Sequence, residues 1–517
     1  MTTSSGVVRP DESLAGHLRH WAAARGGEPA LSCEDVTRTW AQLHDRCSRL
    51  AQALVAAGVR PGDRVAHLGL NGAEALELLL ASGMAGAVHT GVSWRLSPRE
   101  TEAVLAHAGV SVLVVAPEQA EVAEALRSTL PALERVVVTG DSYEEWLAAH
   151  PADDPMVAVS GDDLALMMYT SGTTGLPKGV TFTHRGFRAT AMMEGPTGTD
   201  VSSTALVAMP LFHSAGLSFA VMALGAGAHI VVAREAKPSH LLDLLERWRV
   251  TVTMLVPAVL RTVVAEPGLD RRDLSALRTI VYAASPVSPE LLSRCLDLLD
   301  VRMIQNYGLT ETQSATVLSP EDHLDRARPH LLESAGREAP GARVQVRGAD
   351  GALLPDGEVG EVWVHTPAAM AGYWDDPEQT RQTVDDAGWI RTGDAGCLRD
   401  GYLYLRDRIK DMIVSGGMNV YPVEVENVLH EHPAVRDVAV IGVPSERWGE
   451  TVLAVVVTDV PAPSVEELVA HCRDRLAAYK CPTLVEVVTE LPRNPSGKVL
   501  KRVLREPYWA GRDRRIG

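Results

Sequence analysis

Tyr169-Thr-Ser-Gly-Thr-Thr-Gly-Leu-Pro-Lys-Gly-Val180 comes directly after the apolar run Leu164-Ala-Leu-Met-Met168. Short hydroxyl side chains stand at Thr170, Ser171, Thr173 and Thr174, and glycines at Gly172, Gly175 and Gly179 let backbone N–H groups approach an anion closely. Lys178 adds a mobile positive charge that can reach a triphosphate. The apolar run predicts a buried strand over 164–169, which sets the loop at a strand end, where open α/β sheets bind ligands. The loop is not of the G-x-x-x-x-G-K-[ST] kind: counted from Gly172, Pro177 stands where the second glycine should be, and Gly179 follows the lysine.

Outward from this loop, short apolar strands alternate with helical patterns. Strands are expected over 64–70, 111–115, 135–138, 204–209, 229–233 and 279–282, with helices over 73–84 and 289–299. That alternation implies largely parallel sheets covered by helices, an α/β fold of stacked subdomains. Turn-bounded strands at 343–347, 360–364 and 401–405 have no helices between them and predict a small antiparallel β subdomain. After Asp407 the pattern starts afresh. A helix over 422–430, strands over 438–443 and 451–457, a helix over 465–479 and a strand near 485–488 make a separate α+β unit.

With 517 residues, 46% hydrophobic and 22% charged, the chain has room for two to four soluble globular domains. Its formal charge of −17 excludes nucleic acid as a standing partner, because phosphate backbones reward basic surfaces. Six scattered cysteines without a C-x-x-C pair point to a reducing cytoplasm rather than to disulfides or a metal site. The amino terminus lacks the basic-then-apolar pattern of a secretory signal. Residues 201–233 carry no Asp, Glu, Lys or Arg, yet Pro210, His213 and Gly225-Ala-Gly-Ala228 break them up. They predict strand, loop, packed helix and strand in the core rather than a transmembrane segment.

Further polar clusters succeed the loop in order. Tyr307-Gly-Leu-Thr-Glu311 comes after a strand expected over 301–305 and sets a ring, a glycine, a hydroxyl and a carboxylate close together. Trp389-Ile-Arg-Thr-Gly-Asp394 and Asp407-Arg-Ile-Lys-Asp411 flank the last strand of the small subdomain. Ser415-Gly-Gly-Met-Asn-Val-Tyr-Pro422 and Leu491-Pro-Arg-Asn-Pro-Ser-Gly-Lys498 belong to the C-terminal unit. Taken singly, each has an ordinary explanation as a turn, a surface ion pair or a solvated lysine.

Together, these motifs resemble those of the adenylate-forming superfamily: acyl-CoA synthetases, aryl-CoA ligases, peptide-synthetase adenylation domains and firefly-type luciferases. The resemblance covers nearly the whole chain. It implies a large domain over 1–408 and a mobile C-terminal domain over 411–517 that swings about a hinge at Lys410. It assigns Thr170, Ser171, Gly172, Thr173, Thr174, Gly175 and Lys178 to the phosphates of ATP. Tyr307 would stack on adenine beside Asn306 and Gly308, with Thr310 at the α-phosphate and Glu311 holding Mg²⁺. Ala283-Ala284-Ser285 occupies the family's Gly-Gly-Ala-Pro-like turn against adenine, with alanine in place of both glycines. Asp394 would take both ribose hydroxyls, and Arg408 would meet the ribose from the other side. Lys498 would act at the reacting centre. Ser415, Gly416 and Gly417 would line a pantetheine channel, although Met418 stands where many relatives carry Glu. Phe212, His213 and Gly216 fall at the entrance of the acyl pocket, and the small residues around His213 suggest a roomy, apolar one.

The resemblance implies a cytoplasmic acyl-CoA synthetase, with ATP and CoA as co-substrates and Mg²⁺ as cofactor. Its acid substrate would be a hydrophobic carboxylic acid: fatty, aryl, or terpenoid- or sterol-derived. Three alternatives stand beside it. The chain could be an acyl-AMP ligase stopping at the adenylate or loading an acyl carrier protein, a luciferase-like oxygenase, or a nucleotide-binding protein without catalysis. Monomer and homodimer fit equally.

Overall fold

The computed structural model describes residues 13–170, 178–285, 287, 289–408, 411–415, 418–458, 463–493 and 499–510. Two large sheets, both mainly parallel, dominate the part before Arg408. One runs in the order Arg337–Glu338, Thr316–Leu318, Arg302–Tyr307, Thr279–Ala283, Val252–Leu255, Thr204–Val207, His229–Val232, Pro29–Cys33, Val36–Thr39. The other runs Gly372–Tyr373, Lys178–Thr183, Leu164–Thr170, Val88–Val92, Arg64–Leu68, Val110–Val115, Arg135–Val138.

Between the sheets lie the helices Trp40–Ala56, Ala73–Ala85 and Ser214–Gly225, and one apolar core joins them to both inner faces. The Trp40–Ala56 helix starts on a capping box, in which Thr39 Oγ1 accepts from Gln42 N–H while Gln42 Oε1 accepts from Thr39 N–H. Such caps typically contribute about 1 kcal/mol. In the Ala73–Ala85 helix nearly every side chain is buried, including Glu77. That carboxylate is tolerated because Arg38, Arg46 and the Tyr143 hydroxyl surround it at 2.7–3.1 Å. The outer faces are covered by Pro238–Arg247, Pro257–Val264 and Pro289–Leu298 on one side and by Pro98–Ala108 and Ala120–Arg127 on the other.

The uncharged stretch 201–233 folds as strand Thr204–Val207, helix Ser214–Gly225 and strand His229–Val232, buried in the inter-sheet core. Among the described residues no helix is long and apolar enough to cross a membrane. A third, antiparallel sheet of Arg343–Arg347, Gly360–His365, Ile390–Arg399 and Tyr402–Arg408 forms the small β subdomain. After Asp411 come Ile413–Ser415, Met418–Val420, Val435–Ser445, Gly449–Thr458 and Leu484–Val487, one further sheet with the helices Pro422–His430 and Val465–Arg473.

The strand expected over 164–169 is found as Leu164–Thr170, paired antiparallel with Lys178–Thr183, Thr170 opposite Lys178. The structure corrects two local expectations. The strand expected over 301–305 extends to Tyr307, so Asn306 and Tyr307 are themselves ladder residues. The helix expected over 465–479 ends at Arg473, and a short 3₁₀ turn at Ala478–Lys480 comes after it. Ala477 and Cys481 adopt extended backbone, and Pro482 disfavours helical backbone at the residue before it.

Candidate active site

Thr279–Ala283 and Arg302–Tyr307 are parallel neighbours in register, Ala283 beside Asn306, so their carboxyl ends lie side by side, where open α/β sheets bind ligands. Tyr307 stands at that end. Its hydroxyl donates to Asp394 Oδ2 at 2.7 Å, which ties the large sheet to the small antiparallel one. Asp394 is only 7% exposed. Its N–H donates to Thr392 Oγ1 at 3.0 Å, and that hydroxyl donates to Val362 O at 2.7 Å, so the carboxylate is braced from behind. Arg408 lies opposite Asp394 in the ladder.

The chain folds tightly after Tyr307. Ala315 N–H donates to Tyr307 O at 2.8 Å, and a Cβ on Gly308 would sit 1.5 Å from Gln313 O, so only glycine fits there. This turn carries Thr310 and Glu311, both half-buried. Gln313 Nε2 donates to Thr310 O at 2.6 Å, and its Oε1 accepts from Ser214 Oγ at 3.0 Å. Gln313 thereby fixes the turn to the first residue of the Ser214–Gly225 helix, one residue past His213.

Lys178 leaves the hairpin toward the same turn. Its ammonium lies 2.9 Å from Gln379 Oε1 and 5.1 Å from the centre of the Tyr373 ring. The Tyr373 hydroxyl donates to Glu311 Oε1 at 2.8 Å, and Met370 N–H donates to the Glu311 carbonyl at 2.9 Å. Lys178, Tyr373 and Glu311 are thus contiguous. At the root of the loop, the Tyr169 hydroxyl meets His107 Nδ1 at 2.7 Å, and burial raises the pKa of this phenol.

Around the residues expected at the acyl pocket, Asn71 donates to Met209 O and Ala233 O and accepts from Leu211 N–H, all within 3.1 Å, and so holds the segment that leads into Phe212 and His213. A Cβ on Gly216 would lie 2.3 Å from Pro210 O, so Gly216 lets the helix start pack directly on that segment. A Cβ on Gly91 would approach Phe212 Cα to 2.8 Å. His213 ends the loop with extended backbone, and burial lowers its pKa, which keeps the imidazole neutral.

Ala283 is buried, whereas Ala284 and Ser285 are exposed. Ala284 has φ +72°, in the left-handed region that favours glycine. A methyl group there costs roughly 1–2 kcal/mol, the consequence of alanine in a glycine-type turn. Ser415 ends the strand Ile413–Ser415. Ser171, Gly172, Thr173, Thr174, Gly175, Lys410, Gly416, Gly417 and Lys498 lie outside the described residues, as does the side chain of Arg408. The base of the segment ending at Lys498 is nevertheless closed: Arg493 and Val499 form an antiparallel bridge, and Leu500 N–H donates to Pro492 O at 2.8 Å.

Among the described residues no group of three or more His, Cys, Asp or Glu could hold a metal ion by itself. One carboxylate at Glu311, completed by phosphate and water oxygens, is nevertheless a donor set that suits Mg²⁺. Tyr373, Gln379, Gln313 and Asn71 belong to the site although no sequence motif marks them. For Gln379 a partial signal exists, since Asp376-Pro-Glu-Gln379 is a helix-start pattern and Asp376 Oδ1 does accept from Gln379 N–H at 2.9 Å. Nothing in the pattern gives its pairing with a lysine 201 residues earlier.

Two family descriptions match the chain: AMP-binding enzyme over residues 18–374 and AMP-binding enzyme C-terminal domain over residues 424–498. A fatty acid–[acyl-carrier-protein] ligase, ScoC, from Streptomyces coeruleorubidus is 41% identical across 94% of this chain and 95% of its own. A feruloyl-CoA synthase from an Amycolatopsis species is 41% identical across 95% and 96%. Among solved structures, a Mycobacterium tuberculosis fatty acyl CoA synthetase superimposes with a TM-score of 0.78 at 35% identity, covering 98% of this chain and all of that one.

Proposed function

The chain belongs to the AMP-binding enzyme family and is an adenylate-forming ligase, and from that premise we propose which step each part of the site performs. The substrate is a hydrophobic carboxylic acid, activated by ATP and passed to the thiol of CoA. The contact at 2.7 Å between Tyr307 and Asp394 carries this assignment of the site. It sets an aromatic face for a base next to a buried carboxylate able to accept from ribose hydroxyls.

Lys178 and Glu311, joined through Tyr373, both serve the triphosphate. Mg²⁺, when bound, would be held by Glu311 and phosphate oxygens and would supply charge neutralisation on the triphosphate. The acid approaches from the His213 side, where neutral imidazole and apolar neighbours leave its carboxylate as the reactive group. A carboxylate oxygen attacks the α-phosphorus in line, forming the acyl-adenylate and releasing pyrophosphate. No side-chain nucleophile is required, because positioning supplies most of what the chemistry needs. Lys498, brought in by the C-terminal unit swinging about Lys410, offsets charge that builds between carboxylate and phosphate. In the second step the thiol attacks the acyl carbon along the Ser415–Gly417 segment, and AMP leaves.

The Streptomyces relative, named for a carrier-protein acceptor, favours a second version in which the thiol is that of a carrier-protein pantetheine arm. Incubation with ATP, a panel of fatty and aryl acids, and either CoA or a carrier protein distinguishes the two by product mass. The expected result is acyl-CoA with AMP and pyrophosphate. Acylated carrier without acyl-CoA would replace CoA as acceptor, and absence of pyrophosphate release with every acid would refute acid activation.

A further inference from the structure

Lys178 and Glu311 carry opposite charges on one side of the site, yet among the described residues the side chains that meet them are neutral. The ammonium rests against the Gln379 amide oxygen at 2.9 Å and over the Tyr373 ring at 5.1 Å. The carboxylate accepts from the hydroxyl of the same tyrosine at 2.8 Å. An ammonium has only donors, so the Gln379 carbonyl must be the end facing it, and Gln379 Nε2 points back to Thr383 Oγ1 at 3.3 Å.

The segment that presents these two residues is rigid. Gly372 and Tyr373 pair with Thr181 and Val180, so the segment is an added strand on the very hairpin that bears Lys178. Tyr373 N–H donates to Thr380 Oγ1 at 2.9 Å, Thr380 Oγ1 donates to Asp376 O at 2.8 Å, and Trp374 N–H donates to Gly179 O at 2.7 Å.

We infer that Tyr373 and Gln379 are positioning residues for the triphosphate. Tyr373 is a two-ended spacer that holds Lys178 and Glu311 apart in fixed register. Gln379 is a neutral placeholder that the phosphate displaces from Lys178. Without a spacer between them, a lysine and a glutamate that both contact one tyrosine would be drawn into an ion pair. Such a pair would have to be broken, with a heavy desolvation penalty, before a metal-bound triphosphate could enter. A phenol and an amide give each charge a hydrogen-bonding or cation–π partner without neutralising it. The site is thereby preorganised at little cost to ligand entry. This inference rests on the assignment of Lys178 and Glu311 to ATP.

Two variants test it. Tyr373→Phe keeps the ring beneath Lys178 and removes only the hydroxyl on Glu311. Gln379→Glu keeps the shape and replaces the amide with a carboxylate that competes with phosphate. Affinity for a non-hydrolysable ATP analogue is measured calorimetrically with and without Mg²⁺. Thermal unfolding and both half-reactions are followed in parallel. For Tyr373→Phe the expected result is a loss of about fivefold to tenfold in affinity with Mg²⁺ and little change without it. For Gln379→Glu it is a loss of about tenfold in both conditions, larger at low salt. Thioesterification from preformed acyl-adenylate, which contains no triphosphate, stays at the wild-type rate in both. Equal loss of the two half-reactions together with a lowered unfolding temperature would make these residues merely structural. Wild-type affinity in both variants would also overturn the inference. A wild-type chain that fails to bind the analogue would overturn the ATP assignment and this inference with it.

Discussion

The side proposed for the nucleotide and the side proposed for the acid are built by different means. On the nucleotide side, Tyr307 meets Asp394 while Glu311 and Lys178 meet Tyr373 and Gln379, polar contacts of defined direction, with Asp394 braced by Thr392. On the acid side, Phe212 and Gly216 are set mainly by close packing, Gly91 against Phe212 and Gly216 against Pro210, with hydrogen bonds from Asn71 to the backbone only. Directional polar contacts require particular residue types, whereas packing requires only a shape. The first kind of site names its ligand in the sequence, and the second does not.

The sharpest way to break this contrast is to remove charge from the nucleotide side. Lys498→Ala should lower adenylation by about 10²–10³ while thioesterification from preformed adenylate continues, as single-turnover measurements of each half-reaction would show. Equal loss in both would count against a residue that works in one step only. Asp394→Asn, which keeps the volume and removes the charge, should cost about tenfold to a hundredfold in kcat/KM for ATP. The KM for the acid should hardly move.

The acid side should respond instead to acidity and to single methyl groups. His67 and His89 lie on the adjacent strands Arg64–Leu68 and Val88–Val92, the latter bearing Gly91. Burial holds their pKa values down, to about 4 for His67 and about 3 for His89. Below the ordinary imidazole value of 6.5 the unfolded chain takes up protons that the folded chain refuses. Stability is therefore complete above that pH and is lost as pH falls from about 6.5 toward 4. Each such histidine contributes about 1.4 kcal/mol per pH unit across that window. Thermal unfolding followed from pH 7 to pH 5 should show the midpoint dropping, and a flat profile would contradict buried neutral imidazoles. Gly91→Ala should displace Phe212 and raise the KM for long or bulky acids about tenfold, with ATP affected less than about twofold. A shift in the ATP value of the same size would mean that the two sides are not separable. The smallest expected effect is that of Ala284→Gly. Relief of the left-handed strain should raise stability by about 1 kcal/mol, readable as a small rise in unfolding midpoint.

The same contrast sets how far the sequence could be interpreted. Alternating apolar strands and helices were legible, and 135–138, 343–347 and 422–430 have the bounds expected of them. The mainly parallel sheets and the antiparallel β subdomain were legible too, but individual pairings were not. Nothing in Leu164–Thr170 says that the chain returns antiparallel, or that Pro29–Cys33 pairs with His229–Val232 some two hundred residues on. The polar motifs pointed to Lys178, Tyr307, Glu311 and Asp394 only through their joint resemblance to the adenylate-forming superfamily, since each alone reads as a turn, an ion pair or a surface lysine. Tyr373 and Gln379 carry no such signal, since a tyrosine in a two-residue strand and a glutamine in the first turn of a short helix are unremarkable until the fold sets them against Lys178. The identity of the acid stays unread for the opposite reason: it depends on the volume left between side chains, and volume has no motif.

The most direct test is a crystal structure of the chain with a non-hydrolysable acyl-adenylate mimic. The base should lie on the face of Tyr307, both ribose hydroxyls on the Asp394 carboxylate, and the acyl chain beyond His213. A mimic bound with its base away from Tyr307 and its sugar remote from Asp394 would contradict the account.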